Sequence, residues 1–454
     1  MGRSLLIEKI HEDKLREIGQ KDDFQLGLIL GQQSEGKDFA TDFILSPDPV
    51  EDVGRHGNES TLKSKKQDLF ETKWVAEHGR QVNRMLIGGI SVLGIYVHCL
   101  PDVASANQAK LSQCLLSLQS RIERNKWLKK IYLHSERYLL HICSATGKLT
   151  CRSFDVSNKQ ATSKPADCKF QSFVGNWHSA FTSIDVHVNV SIPLSPKASE
   201  TEKSILLACQ HEIEEVWNAY CTSDGPNLLT EDQMISNIST TKSKSKGKQE
   251  ATSQNLKLTL FKLPNSDKAE DVVRQETTYL EVKFFGGIYS RAVLNSKATY
   301  GDAIKALKVD LIRSLLTRIE LLCEEAEVNN LVQVEEWSLV SPTRVFYPVH
   351  KSSLYFSDYS FKDESVDDIV SRFSELLNLT VDKSDLVYFE RSPDVSEASM
   401  LFHSTDKPID QQSDVVSELS NSLVEESIKN KTHIYFLFAI IVILIGILIK
   451  ITLF

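Results

Sequence analysis

Several signatures of chemistry are missing from these 454 residues. There is no G-x-x-x-x-G-K-[ST] to cradle a phosphate, no G-x-G-x-x-G, no G-x-S-x-G nucleophile turn and no H-E-x-x-H zinc helix. Of the eight cysteines (Cys99, Cys114, Cys143, Cys151, Cys168, Cys209, Cys221 and Cys323) no two are spaced C-x-x-C, which argues against a zinc ribbon or a thioredoxin-type pair. A chain of this length without a secretory signal has no need of a disulfide framework, so these cysteines read as reduced, mostly buried small hydrophobes. A basic surplus is missing too. With 52 Lys and Arg against 61 Asp and Glu, the net charge of −9 argues against a general nucleic-acid binder. The N-terminus MGRSLLIEKIHEDKL has no apolar signal core, and Leu6 breaks the myristoylation pattern.

A long hydrophobic run is present, at 434–449 (IYFLFAIIVILIGILI), sixteen residues without a charge. As a helix, 434–454 measures about 31 Å, the thickness of a hydrocarbon core of about 30 Å. Ile434, Phe438, Ile441, Leu444, Leu448 and Phe454 are the expected lipid-facing anchor residues. Lys450 can snorkel to the far headgroups, and Lys429 and Lys431 fit a cytosolic flank. The expectation is a single C-terminal transmembrane helix, a tail anchor in the lipid bilayer with the bulk of the chain cytosolic. The sequons at Asn58, Asn189, Asn237, Asn378 and Asn430 should then stay unmodified. Before the anchor, 391–427 carries eight acidic residues against two basic ones, a net of −6, and reads as a flexible stalk. A SNARE-like tether would share this layout, but only Val416, Leu419 and Leu423 keep helical spacing there.

Two polar stretches divide the rest. The stretch at 47–66 reads as a loop, and 222–255, with STTKSKSKGKQEATSQN inside it, as a linker. The expected domains are therefore 1–221 and 256–390, followed by the stalk at 391–430 and the anchor at 431–454. In the first, 24–30 and 37–45 are strand-like, and 72–86 suits a helix with Trp74, Val75, His78, Val82 and Met85 on one face. Gly88 and Gly89 stop that helix, and 90–97 reads as a buried strand, too short for a bilayer. A helix at 108–130 and a hairpin of 137–143 with 149–156 follow, and then an alternating strand at 181–194. There Ile184, Val186, Val188, Val190 and Ile192 share one face, and His187 lies on the polar one. The second domain reads as strands at 256–263 and 278–285 and a helix at 300–327. Ile304, Leu307, Leu311, Leu315 and Leu322 form the stripe of that helix, and Thr299 with Asp302 could cap it. Strands at 344–349 and 354–359 and a helix at 364–379 complete an α+β arrangement.

The pattern LGLILG at 26–31, then a helix, then a strand ending GIYVHCLP at 94–101 resembles the MPN domain. Active members carry His-x-His-Pro there, with a downstream Asp completing a zinc site and a Glu as general base. Here His98 stands alone: Leu100 occupies the second ligand position and no S-x-x-D follows Pro101. One imidazole cannot hold a three-ligand catalytic zinc, so no metal, cofactor or catalytic residue is assigned. A membrane-tethered metallo-isopeptidase at His98, or a cysteine hydrolase, is the competing reading.

A longer series of motifs occurs in order: LILGQ at 28–32, WVAEH at 74–78, VNRMLIGG at 82–89, LHIC at 140–143, CRSFD at 151–155, KPAD at 164–167 and DYSFKDES at 358–365. With the apolar C-terminus, these resemble the odorant-response-abnormal family (the fourth protein so named). The resemblance implies a non-catalytic, tail-anchored adaptor at the endoplasmic reticulum membrane that helps G-protein-coupled odorant receptors reach the surface. It also implies a degenerate MPN-like first domain that pairs with the protease for the ubiquitin-fold modifier and brings it to that membrane. Because MPN domains pair through their helices, the face of Trp74, His78, Val82 and Met85 is the candidate partner surface, against the plainer reading of core packing.

Overall fold

The computed structural model describes residues 3–18, 24–47, 69–124, 126–158, 160, 162–193, 203–207, 209–223, 229–237, 255–261, 279–328, 336–349, 352–362 and 364–390. The polar loop, the stalk, the anchor and most of the 222–255 stretch therefore lie outside the described residues. So do the side chains of His187 and the alternating positions after it. Among the described residues no helix is long and apolar enough to cross a membrane.

Seven strands close into a barrel: β1 Ser4–Glu8, β2 Gln25–Gln32, β3 Lys37–Leu45, β4 Ser91–Cys99, β5 Glu136–Cys143, β6 Leu149–Asp155 and β7 Lys164–Gln171. β1 closes it by pairing in parallel with both β3 and β7, and β4 runs parallel to β5, while the other neighbours are antiparallel. The interior is filled by Ile7, Phe43, Tyr96, Tyr138 and Leu140, together with Leu15 and Ile18 from helix α1 (His11–Ile18). Outside the barrel, α2 (Thr72–Arg84), α3 (Pro101–Ala106) and α4 (Gln108–Ile122) follow in the chain. Val92, Ile95 and Val97 of β4 join a second core with Val75 and Val82 of α2 and Leu111 and Leu118 of α4. Strand β4 is thus buried at every position, which is why its sequence runs apolar without alternation. The expected mixed sheet is present, and it closes.

The rest builds two smaller sheets. Strands β8 (His178–Pro193), β9 (Tyr220–Ser223), β10 (Asn255–Phe261), β11 (Tyr279–Leu294) and β12 (Glu336–Val340) are ordered β12-β11-β8-β10-β9. A long helix, α6 (Tyr300–Val328), packs on this sheet, and α5 (Gln210–Asn218) packs on α6. Strands β13 (Thr343–Pro348), β14 (Tyr355–Ser360) and β15 (Val387–Tyr388) form the third sheet, beside α7 (Val366–Leu377). The architecture is mixed α+β. The expected cap of α6 is present: Thr299 N donates to Asp302 Oδ2 at 2.9 Å and Asp302 N to Thr299 Oγ1 at 3.2 Å. The helix expected at 108–130 ends at Ile122, and a 3-10 turn at Leu128–Ile131 replaces its last part.

The expected boundary between 1–221 and 256–390 falls inside one compact unit, Met1–Pro393. The reason is the β8–β11 ladder, which runs antiparallel from His178↔Leu294 to Tyr279↔Pro193. Sixteen residues of each strand lie opposite a partner on the other, and the polar stretch at 222–255 joins β9 to β10, which pair in the same sheet.

Candidate functional site

The segment after α2, residues 85–90, is where the barrel, the second sheet and the third sheet meet. Gly88 N donates to Arg291 O at 2.8 Å and Val293 N returns to Gly88 O at 3.0 Å, joining the segment to β11. On its other side Ser357 N of β14 donates to Met85 O at 2.8 Å. Gly89 has φ +82, and an added Cβ would stand 2.1 Å from Val293 O, so only glycine fits there. Gln32 at the end of β2 completes the junction. Its amide donates to Gly89 O at 3.0 Å and Val293 O at 2.9 Å, and its carbonyl accepts from Asn295 N at 2.8 Å.

Two buried arginines hold the segment from the far side. Arg313 of α6 donates to Leu86 O at 2.9 Å and Ile90 O at 3.3 Å, and Arg344 of β13 donates to Leu86 O at 3.1 Å. Arg344 and Asp310 are fully buried and doubly bonded, at 2.8 and 3.1 Å, and Asp310 also accepts from Ser290 Oγ at 2.9 Å. Burial works against the Arg344 charge, but Asp310 outweighs it and raises the guanidinium above its ordinary pKa. Glu390 extends the network: it accepts two bonds from Arg318, at 2.6 and 2.7 Å, and one each from the backbone N–H groups of Tyr289 and Arg344. The junction thus combines neutral backbone and amide bonds with charge-assisted bonds from Arg313, Arg318 and Arg344.

The face of α2 chosen from the sequence packs within this chain. Val82 and Met85 are 0% and 2% exposed, and both belong to the core shared by barrel and helices. His78 is also buried, with Nδ1 3.1 Å from Ser46 Oγ and Nε2 2.8 Å from Leu376 O of α7. Trp74 is half-buried and its indole donates to Pro47 O at 2.7 Å. The helix is covered by α4 and α7 of the same chain, so these four residues do not offer a free face for a partner. Amphipathic spacing marks a buried face without saying what buries it.

His98 lies in β4, fully buried, opposite Gln25 of β2 and Ile142 of β5. Leu100, at the position of a second imidazole, is 51% exposed. Among the described residues no group of three His, Cys, Asp or Glu side chains could share a metal ion. The cysteines are all free. Burial pushes the thiols of Cys99 up to about 11 and of Cys114 and Cys209 up to about 12.

Comparison with known proteins now has a structure to refer to. A family model described as Odorant response abnormal 4-like matches residues 27–388, a range that includes strands of all three sheets. The chain belongs to the ODR4-like family. It is 30% identical over 424 residues to the protein odr-4 homolog of Mus musculus, covering 90% of this chain and 92% of that one. The human protein odr-4 homolog is 30% identical over 404 residues, covering 86% of this chain and 87% of its own. The odorant response abnormal protein 4 of Caenorhabditis elegans is 22% identical over 332 residues, 71% of this chain and 66% of that one. Among solved structures, the crystal structure of UfSP from C. elegans aligns at TM-score 0.40 and 8% identity, over 83% of this chain and 57% of that chain.

Several motifs noted in the ODR4-like sequence fall on the junction: LILGQ supplies Gln32, and VNRMLIGG supplies the gripped segment. The arginines that hold it, Arg313 and Arg344, and the carboxylates that bond around them, Asp310 and Glu390, are not legible as a group in the sequence. A signal for Asp310 and Arg313 was present, since charged residues interrupt a helix whose other positions are apolar enough to be buried.

Proposed function

We propose that this ODR4-like protein is a non-catalytic adaptor, anchored in the endoplasmic reticulum membrane through 434–454 with its bulk in the cytosol. In this reading it promotes folding and trafficking of G-protein-coupled odorant receptors and brings the ubiquitin-fold-modifier-specific protease to the membrane through a degenerate MPN-like domain. The observation that carries the reading is membership of the ODR4-like family along 27–388, with a relative named odorant response abnormal protein 4. Two features of the chain agree with it. The sixteen uncharged residues of 434–449 have the composition of a span. His98 is fully buried in β4, and Leu100 stands where the MPN pattern has its second histidine.

Proximity labelling and affinity purification of the full chain, against a form ending at Lys429, test the proposal. The protease should bind both forms and reach the membrane only with the longer one, and receptors should be labelled by the longer one. Absence of the protease and the receptors from both forms removes the reading's content. Stoichiometric zinc in the purified protein, lost on His98→Ala, would replace the adaptor by a metallo-isopeptidase.

A further inference from the structure

Beyond the junction, helices α2, α4 and α6 and the segment 203–206 enclose a cavity of about 400 Å³ on the surface of the compact unit. Its wall is apolar, from Ile122, Leu128, Leu206 and Leu316, and its rim is cationic. Arg80, Arg84, Arg121, Arg124, Lys203 and Arg313 all line it, and Glu320 is the one carboxylate in the lining. Glu320 already takes bonds from Arg80 at 2.6 Å, Arg84 at 2.7 Å and Arg124 at 3.2 Å. Glu77 and Glu324 pair with the same set, at 3.1 Å to Arg121 and 2.9 Å to Arg84. Among the described residues, these three carboxylates stand against six cations.

Two deeply buried polar groups in the lining are unsatisfied. Asn83 is 4% exposed and its Oδ1 makes no hydrogen bond, and Arg313 is 2% exposed and its Nε makes none. Both nitrogens at the other end of the Arg313 guanidinium are spent on carbonyls, and no carboxylate among the described residues pairs with it. The nearby Asp310 is bonded to Arg344 instead. Burial holds the Arg313 guanidinium below its ordinary pKa despite the attraction of Asp310. A buried cation with a free donor is costly unless something supplies negative charge. The carboxamide beside the same cavity can present either its oxygen or, turned over, its N–H groups.

We propose that this cavity is a binding site for a small oxyanion, phosphate or carboxylate, that carries an apolar tail. The oxygens would take the Arg313 Nε proton, the Asn83 amide and N–H groups of the rim guanidiniums, in the charge-assisted geometry that arginine favours. The tail would lie along Leu128, Leu206 and Leu316. A volume of about 400 Å³ suits a ligand of a headgroup and a short chain. Such a ligand would bridge α6, which grips the junction, to α2 and α4.

Calorimetric titration of the full chain in neutral detergent, with butyl phosphate, inorganic phosphate and butanol, tests it. Butyl phosphate should saturate one site per chain, inorganic phosphate should bind about tenfold more weakly, and butanol should give no saturable heat. The variant Arg121→Ala/Arg124→Ala changes side chains 51% and 58% exposed, so it should fold normally and lose about tenfold in affinity for butyl phosphate. Asn83→Asp should abolish binding by supplying the negative charge itself, and its thermal midpoint without ligand should not fall. The proposal is overturned if the wild-type chain shows no saturable binding of either phosphate, or if both variants bind as the wild type does. Equal affinity for the two phosphates overturns the tailed ligand.

Discussion

Arg344 on β13 and Asp310 on α6 form a two-bond ion pair with no solvent exposure on either side, 34 residues apart in sequence. The pair sits directly behind residues 85–90, and Arg344 reaches past Asp310 to the carbonyl of Leu86. It therefore links the third sheet, the long helix and the segment leaving α2 at one point.

Removing one partner leaves the other charge buried. Asp310→Ala or Arg344→Met should each destabilise the compact unit by about 3–5 kcal/mol. The double variant should lose clearly less than the two losses added together. Chemical denaturation of all four proteins measures this as a double-mutant cycle, and strict additivity would show that the pair is not coupled.

Gly89 in the junction segment and Gly94 in β4 are steric requirements. Gly89→Ala puts a side chain at φ +82 and a Cβ 2.1 Å from Val293 O, and Gly94→Ala puts one 2.0 Å from Tyr138 O of the neighbouring strand. Each should cost roughly 1–3 kcal/mol or prevent folding. Gly147→Ala, whose Cβ would meet nothing within 4 Å though φ is +66, should be milder. The ranking is read from thermal midpoints.

His78 makes stability depend on pH. Burial holds its pKa below the ordinary histidine value, against the smaller opposing effect of its bond to Leu376 O. The unfolded chain then binds the proton more readily than the folded one. The stability this residue contributes is complete above the unfolded value of about 6.5 and falls as pH drops below it. Between pH 7.5 and 5.5 the wild-type protein should lose more stability than His78→Gln. An identical pH dependence in the two proteins would assign the effect elsewhere.

The thiols should differ in reactivity. Cys143 is held below its ordinary pKa by the Thr146 hydroxyl, whereas burial raises Cys114 and Cys209 to about 12. Iodoacetamide near neutral pH should modify Cys143 ahead of those two, and Thr146→Val should slow that modification. Peptide mapping after timed quenching gives the order.

The sequence by itself determined much of the local structure. Strands β2 to β6, helices α2 and α6 and the Thr299–Asp302 cap follow from periodicity and from short-range bonding, which act over a few residues. The apolar run of β4 announced burial on both faces.

Only the tertiary structure decided what those elements touch. Barrel closure depends on β1 meeting β7 across more than 150 residues, and the β8–β11 ladder carries one sheet across the polar stretch that had looked like a domain boundary. The face of Trp74, His78, Val82 and Met85 had the right spacing for an interface, but this chain's own strands and helices fill it. Charged residues such as Asp310, Arg313 and Arg344 have no periodic signature, because their burial is made tolerable by partners brought together in space. Periodicity reports that a side chain is buried. The pairing of distant strands and charges sets what buries it.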